Sequence, residues 1–427
     1  MTDQLTRPRA YRWMLGAIIG VAALLRFAMA PNLALESRDD SLLFQLWGYS
    51  VVEHGVTNVY TTEVGHPWFR KVPLPNYLPP YLYVVGAIEK FRRVVDPSGN
   101  VGTPTASFML KSIPILFELG TILFLAHIIR RRGGDRLALF GALAYAFHPA
   151  LTFITAGWGQ VDAVYTFGLV MCLWLLDRGR YVSAAAVTAA TFLVKMQTML
   201  LVPLLIYELV RTKRVRTMLA AVGAALGTAA VLVAPFLFAG KGLEVLKVIT
   251  NVAGSFPHPS ANAHNVWWLF SGGHWQLRFD TEHVLGLPMY AIGATLYIAA
   301  IGFALWFRHR VRTADGLWLT AAFLALAFFM LPTEMHERYL FSFFALLLPA
   351  CAMLRSARWL YVAMVVTFTW NIFVAFLVIS HDAGFTKYED YYGHFWGGSL
   401  VVAILNVLLF IGTVVWYARM ARRKRTL

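Results

Sequence analysis

Two cysteines in 427 residues are too few for a disulfide framework or a cysteine-based metal site. Cys172 and Cys351 both lie inside apolar runs, where a lone thiol behaves as a small buried hydrophobe. Charge is also scarce. Asp, Glu, Lys and Arg make up 14% of the chain, whereas a soluble domain carries about a quarter. Acid is the scarcer sign, 22 residues against 37 basic ones, for a formal net charge of +15. The basic residues form short clusters between apolar runs, which is the pattern of membrane topology and excludes a nucleic-acid patch. No nucleic-acid partner is expected, and no second His follows His336-Glu337 at the spacing of a zinc motif.

Apolar residues are what the chain has instead, at 59%, with aromatics at 15%. That composition predicts an all-α polytopic membrane protein with membrane lipid as its solvent. A crossing takes about 20 apolar residues. About twelve spans are expected: Met14–Ala30, Phe108–Ile129, Leu137–Ile154, Val161–Leu176, Val182–Val194, Met199–Val210, Met218–Ala239, Leu287–Phe307, Leu317–Leu331, Tyr339–Leu354, Trp359–Ile379 and Phe395–Tyr417. The first follows Arg7, Arg9 and Arg12 and ends Ala28-Met29-Ala30 like a signal peptide, but Pro31 obstructs cleavage. It reads as an uncleaved helix.

Two choices fix the topology. Tyr77–Phe91 is apolar but short and interrupted by Glu89 and Lys90, so it is kept outside as an interfacial helix. Val182–Val210 is split at Lys195-Met196-Gln197 into two short helices. With these choices both termini are cytoplasmic, and more than half of the 37 Lys and Arg fall in the inner loops and tails, as the positive-inside tendency requires. Most spans read as free of charge, and no internal repeat is visible.

The outer side then gathers the polar segments into one compartment, within a single transmembrane domain spanning 1–427. Its long first loop, 32–107, opens with Asp39 and Asp40 directly before Leu42, Leu43, Phe44, Leu46 and Trp47, an interfacial helix starting at an acidic pair. A loop of this length usually carries function. A second long outer loop covers 240–286 and reads equally as a lid or a plug. The remaining polar points are Trp158-Gly159-Gln160 with Asp162, Lys195 with Gln197, and His336-Glu337-Arg338. Each has a plainer role as a helix cap, an aromatic belt or a snorkelling cation. Together they offer carboxylate, Lys, Arg and His on one face. Transfer from a phosphate-linked sugar needs a base for the attacking hydroxyl and cations for the leaving phosphate. Hydrolysis needs two carboxylates across the bond, so the single acidic cluster favours transfer.

The order of these motifs resembles the GT-C superfamily of polyprenyl-phosphate-sugar-dependent glycosyltransferases. It is similar to bacterial membrane mannosyltransferases related to the second GPI-anchor mannosyltransferase. It is similar also to the dolichyl-phosphate-glucose-dependent glucosyltransferases of N-glycan assembly. Asp40 stands seven residues before Trp47, as an acidic residue does in those glucosyltransferases. Tyr77-Leu78-Pro79-Pro80-Tyr81 resembles their Tyr-Pro-Pro segment, with Leu78 interrupting it. Trp158-Gly159-Gln160, Lys195-Met196-Gln197 and His336-Glu337-Arg338 resemble their later turns.

The resemblance implies a GT-C fold and an inverting hexosyltransferase of a bacterial inner membrane, working on the outer face. Its donor would be a polyprenyl-phosphate sugar, mannose first and glucose next, and its acceptor a lipid-linked or cell-envelope glycan. Asp40, or Asp39, is then the base, with Lys195, His336 and Arg338 on the donor phosphate. Trp47, Tyr77, Tyr81, Trp158, Gln160, Asp162, Gln197 and Glu337 are expected against substrate, with no metal and no other cofactor. A flippase of lipid-linked sugars is the competing class and predicts charges inside the spans and repeats. A ligase acting on diphosphate-linked glycans is a third, with its outer loop near the other chain end.

Overall fold

The computed structural model describes residues 8–36, 38–63, 65, 72–98, 100–252, 254–273, 278–380 and 386–423. The side chains of Pro8, Arg38, Asp39, Ser380 and residues 386–392 also lie outside the description, which takes in much of the expected outer turn Ser380–His394.

The chain is helical nearly throughout. In order it forms α1 (Pro8–Met29), α2 (Arg38–His54), α3 (Pro79–Val95), α4 (Pro104–Ala146), α5 (Pro149–Thr152), α6 (Asp162–Asp177), α7 (Tyr181–Val194), α8 (Val202–Arg211), α9 (Val215–Phe238) and α10 (Gly242–Asn251). There follow β1 (Ser260–Ala261), α11 (Val266–Ser271), β2 (His283–Val284), β3 (Leu287–Pro288), α12 (Met289–Arg310), α13 (Ala314–Met330), β4 (Met335–His336), α14 (Phe341–Cys351), α15 (Arg355–Ser380) and α16 (Thr386–Arg423). Each expected span coincides with helix. Among the described residues, six helices have the length and hydropathy to cross a bilayer: α1, α4, α9, α12, α15 and α16. The other expected spans are shorter helices, from 10 residues in α8 to 17 in α13.

Two boundaries need correction. Phe108–Ile129 and Leu137–Ile154 are two helices, as expected, within one run that breaks sharply at Gly134, whose non-helical φ of 81° is open to glycine at little cost. That run stops at Ala146 rather than Ile154, because Pro149 ends the ladder and a π-helical segment, Phe153–Trp158, takes over. The break at Lys195 occurs as expected, but a 3₁₀ turn fills Met196–Leu201, so α8 begins at Val202 rather than Met199. The few charges that the expected spans do carry include buried ones. Arg26 in α1 and Lys111 and Glu118 in α4 are fully buried.

The chain divides into two compact units. Unit I comprises 23–118 and 153–255. Its core is built on the first outer loop, with Phe44, Leu46 and Trp47 of α2 against Tyr81, Leu82 and Val85 of α3. Glycines let these two helices touch. A Cβ built at Gly48 would lie 2.7 Å from the Val85 carbonyl oxygen, and one at Gly86 would strike Val51. Arg93 of α3 bridges Glu53 of α2 at 2.7 Å and Glu89 at 2.9 Å, while Arg92 pairs Glu89 at 2.7 Å. The Glu89 that interrupts the apolar run is therefore buried and paired rather than placed in lipid. Tyr83 anchors α3 on α9 through a hydrogen bond to the Leu232 carbonyl at 2.8 Å.

Unit II comprises 1–22, 119–152 and 256–427. Here α13 and α14 are buried along almost their whole length. The segment from Phe256 onward is docked rather than loose. Ser260 and Ala261 pair in parallel with Met335 and His336. Asn371 of α15 donates to the Asn262 carbonyl at 2.6 Å and accepts the His264 N–H at 3.0 Å. Asn265 caps α11 through the Trp267 and Trp268 N–H groups.

Candidate active site

The polar residues of unit I meet around the start of α2. Glu36 ends a 3₁₀ turn, Leu33–Leu35, and is 5% exposed. Its carboxylate receives the Ser41 hydroxyl at 3.1 Å, the Ser107 hydroxyl, and the Lys111 ammonium at 3.0 Å. Glu36 thus ties the entry of α2 to the first turns of α4. Lys111 in turn lies beneath the Trp158-Gly159-Gln160 turn, for a Cβ at Gly159 would come within 3.1 Å of its Cε. Gly159 has a φ of 86°, so this position excludes a side chain twice, by backbone angle and by space.

That turn delivers Gln160. Its N–H closes the π-helical segment on the Ile154 carbonyl at 3.0 Å, and its side-chain amide donates to Asp40 Oδ2 at 2.6 Å. Gln160 is fully buried, whereas Asp40 is half-buried in the first turn of α2. Two residues further on, Asp162 opens α6 and is fully buried. Its Oδ2 accepts from Lys195 Nζ at 2.8 Å, and the same ammonium stands 5.4 Å from the Tyr165 ring centroid. Asp162 Oδ1 and Gln160 Oε1 are buried acceptors with no hydrogen-bond donor among the described residues. Gln197 is half-buried in the 3₁₀ turn after Lys195.

The aromatic residues form the wall beside Asp40. Tyr77 and Tyr81 have ring centroids 4.7 Å apart, and Phe44 meets Tyr81 edge-on at 5.3 Å. Trp47 donates its indole N–H to the Pro73 carbonyl at 2.9 Å and is 2% exposed. Burial pushes the Tyr81 hydroxyl well above its usual pKa, and the neighbouring Tyr77 and Asp40 charges push the same way. Of the residues expected against substrate, Trp47, Tyr81 and Trp158 are buried and Tyr77 is half-buried.

The remaining motif belongs to unit II. His336 lies in β4 with its ring between Phe256, 4.9 Å away, and Tyr339, 5.1 Å away. Glu337 is buried and accepts from Arg338 Nη1 at 2.8 Å. The Asp39 side chain lies outside the described residues.

Of the residues singled out from the sequence, Asp40 meets Gln160 and Asp162 meets Lys195 in unit I, where Glu36, Ser107 and Lys111, which the sequence reading misses, also lie. That reading also misses the Arg26–Glu118 pair, joined by two hydrogen bonds of 2.8 Å. The signal was present, because an ionisable residue inside an apolar run needs a partner. Charges inside spans are what a flippase predicts, yet here they are paired and tie helices together.

Residues 101–333 match the profile of glycosyltransferase family 87. Among curated proteins, none matches this chain. ArnT from Cupriavidus metallidurans in the apo state superposes with a TM-score of 0.50 at 16% identity, covering 97% of this chain and 78% of that one. The same protein bound to undecaprenyl phosphate gives 0.48 at 15% identity, covering 96% and 77%. The apo likeness shows the GT-C fold expected from the motifs. The profile runs over more than half of the sequence and takes in Lys111, Gln160, Asp162 and Lys195. The chain belongs to glycosyltransferase family 87.

Proposed function

We propose that this membrane glycosyltransferase moves a hexose, mannose first and glucose next, from a polyprenyl-phosphate carrier to a hydroxyl of a lipid-linked or cell-envelope glycan. The reaction takes place on the outer face of a bacterial inner membrane, with both termini cytoplasmic, and inverts the anomeric carbon. The observation that carries this reading is the half-buried Asp40 carboxylate held at 2.6 Å by the buried Gln160 amide. A neutral amide orients a carboxylate without consuming its charge, which suits a general base that must take the acceptor proton. Phosphate leaves without protonation, so one carboxylate is enough.

Lys195 supplies positive charge toward the departing phosphate, kept in place by Asp162. The buried acceptors Asp162 Oδ1 and Gln160 Oε1 are suited to hydroxyl donors, the groups a sugar presents. The phosphate role of His336 and Arg338 rests on the sequence resemblance alone. No metal is included. The carrier is of the same chemical class as the lipid bound in the second ArnT structure.

Purified protein in lipid nanodiscs is incubated with polyprenyl-phosphate-mannose, polyprenyl-phosphate-glucose and a glycan-lipid extract as acceptor. Consumption of one donor, faster than in an Asp40→Asn control, is expected. If neither donor is consumed, the carrier class is wrong.

A further inference from the structure

Unit II holds a cavity of about 250 Å³ that the transfer reaction does not use. Its walls are apolar: Leu137, Phe140 and Ala144 from the second limb of α4, Leu348 and Cys351 from the end of α14, and Val362 from α15. Two basic side chains stand against it. Arg358 lines the cavity and is exposed, donating through Nε to the Cys351 carbonyl at 2.7 Å and through Nη2 to the Ala352 carbonyl at 3.0 Å. Those bonds cap the end of α14 but leave its positive charge without a carboxylate, since no acid pairs with Arg358 among the described residues. Arg136, also exposed, lies with its guanidinium 5.8 Å from the centroid of Phe140, a cavity wall. No acid pairs with Arg136 either among the described residues.

An apolar cavity in a membrane-spanning bundle, lined by Arg358 and with Arg136 against one of its walls, matches one ligand chemistry, an acyl chain carrying an anionic head. We infer that this cavity binds an anionic glycerophospholipid, with one acyl chain between α4, α14 and α15 and its phosphate against Arg358 and Arg136. The site is independent of the donor reading, because its residues belong to none of the groups assigned to transfer.

Native mass spectrometry of the full chain tests it, with phosphatidylglycerol, phosphatidylcholine of the same acyl chains, and a polyprenyl monophosphate as probes. One phosphatidylglycerol is expected to be retained more strongly than phosphatidylcholine, by about 5-fold for each arginine engaged. Arg136→Gln, a surface change that leaves the helices intact, is expected to remove one such factor. Ala144→Trp fills the cavity and is expected to abolish retention. In a Cys172→Ser background, phosphatidylglycerol is expected to slow alkylation of Cys351 by N-ethylmaleimide. Equal retention of phosphatidylcholine, preferential retention of the polyprenyl phosphate, or retention undiminished in Ala144→Trp would overturn the proposal.

Discussion

The Gln160 side-chain amide donates to Asp40 Oδ2 at 2.6 Å, joining residues 120 apart in the chain. One is fixed by a buried turn and the other sits at the entry of an amphipathic helix. Asp40→Asn keeps the size and the capping ability of the side chain but removes the basic oxygen. The turnover rate is expected to fall by roughly 10²–10⁴ with unchanged thermal stability. Gln160→Ala, which frees the carboxylate to rotate, is expected to cost up to about 10²-fold. Asp39→Asn is expected to have the smallest effect. Equal, mild losses from Asp40→Asn and Asp39→Asn would point to capping instead of catalysis.

Lys111 and Glu36 form a buried ion pair, and their separation is predicted to be costly. Lys111→Met leaves Glu36 as an uncompensated buried charge, a loss of about 3–5 kcal/mol. Glu36→Gln combined with Lys111→Met removes both charges and is expected to recover most of that stability. Thermal unfolding in detergent measures both. A double variant no better than the single one would mean that the two charges act separately.

The Lys195–Asp162 pair combines a structural and a chemical role, and the same logic separates them. Lys195→Met with Asp162→Asn is expected to fold, because no lone charge is buried. Without a cation for the leaving phosphate, its rate is expected to remain down by about 10²–10³. Arg338→Ala is expected to give a loss of the same order. Near-normal turnover in the folded double variant would remove Lys195 from the chemistry.

His264 gives a pH signature. Its ring is fully buried, edge-on to Trp268 at 4.9 Å, with neither nitrogen hydrogen-bonded among the described residues. Burial pushes its pKa down from 6.5 to about 3. The unfolded chain therefore binds a proton that the folded chain refuses between those values. Stability contributed by the neutral ring is full above pH 6.5 and falls as the pH drops toward 3, by at most about 1.4 kcal/mol per unit. His264→Phe keeps the contact with Trp268 and is expected to flatten that part of the profile. Melting temperatures at pH 8 and pH 5 compare the two proteins. An identical pH dependence would rule out a neutral buried imidazole as the source.

Most of the helices were legible because apolar run length is a strong signal and membrane helices carry little else. The break at Lys195 was legible because a charge and an amide interrupt the run, and there the backbone is extended, with φ −151°. Boundaries set by backbone geometry were not. The bend at Gly134 and the π-helical segment before Gly159 depend on hydrogen bonds that composition does not encode. The candidate base could be picked out as a carboxylate before an apolar helix, and Gln160 as part of a polar turn, but nothing in the sequence pairs the two. The Glu36–Lys111 pair was missed because each residue looks ordinary alone. Glu36 opens a polar loop, and Lys111 follows the expected start of a span by three residues.

The backbone contact between α2 and α3 through Gly48 and Gly86 also bears on timing. Helices packed backbone to backbone at Gly48 and bridged by the Arg93–Glu53 pair are expected to open together rather than one at a time. Their amide protons should therefore exchange with deuterium through a single shared opening event. Asp40 would then keep or lose its position together with the whole helix pair, and the base would be available in an all-or-none manner.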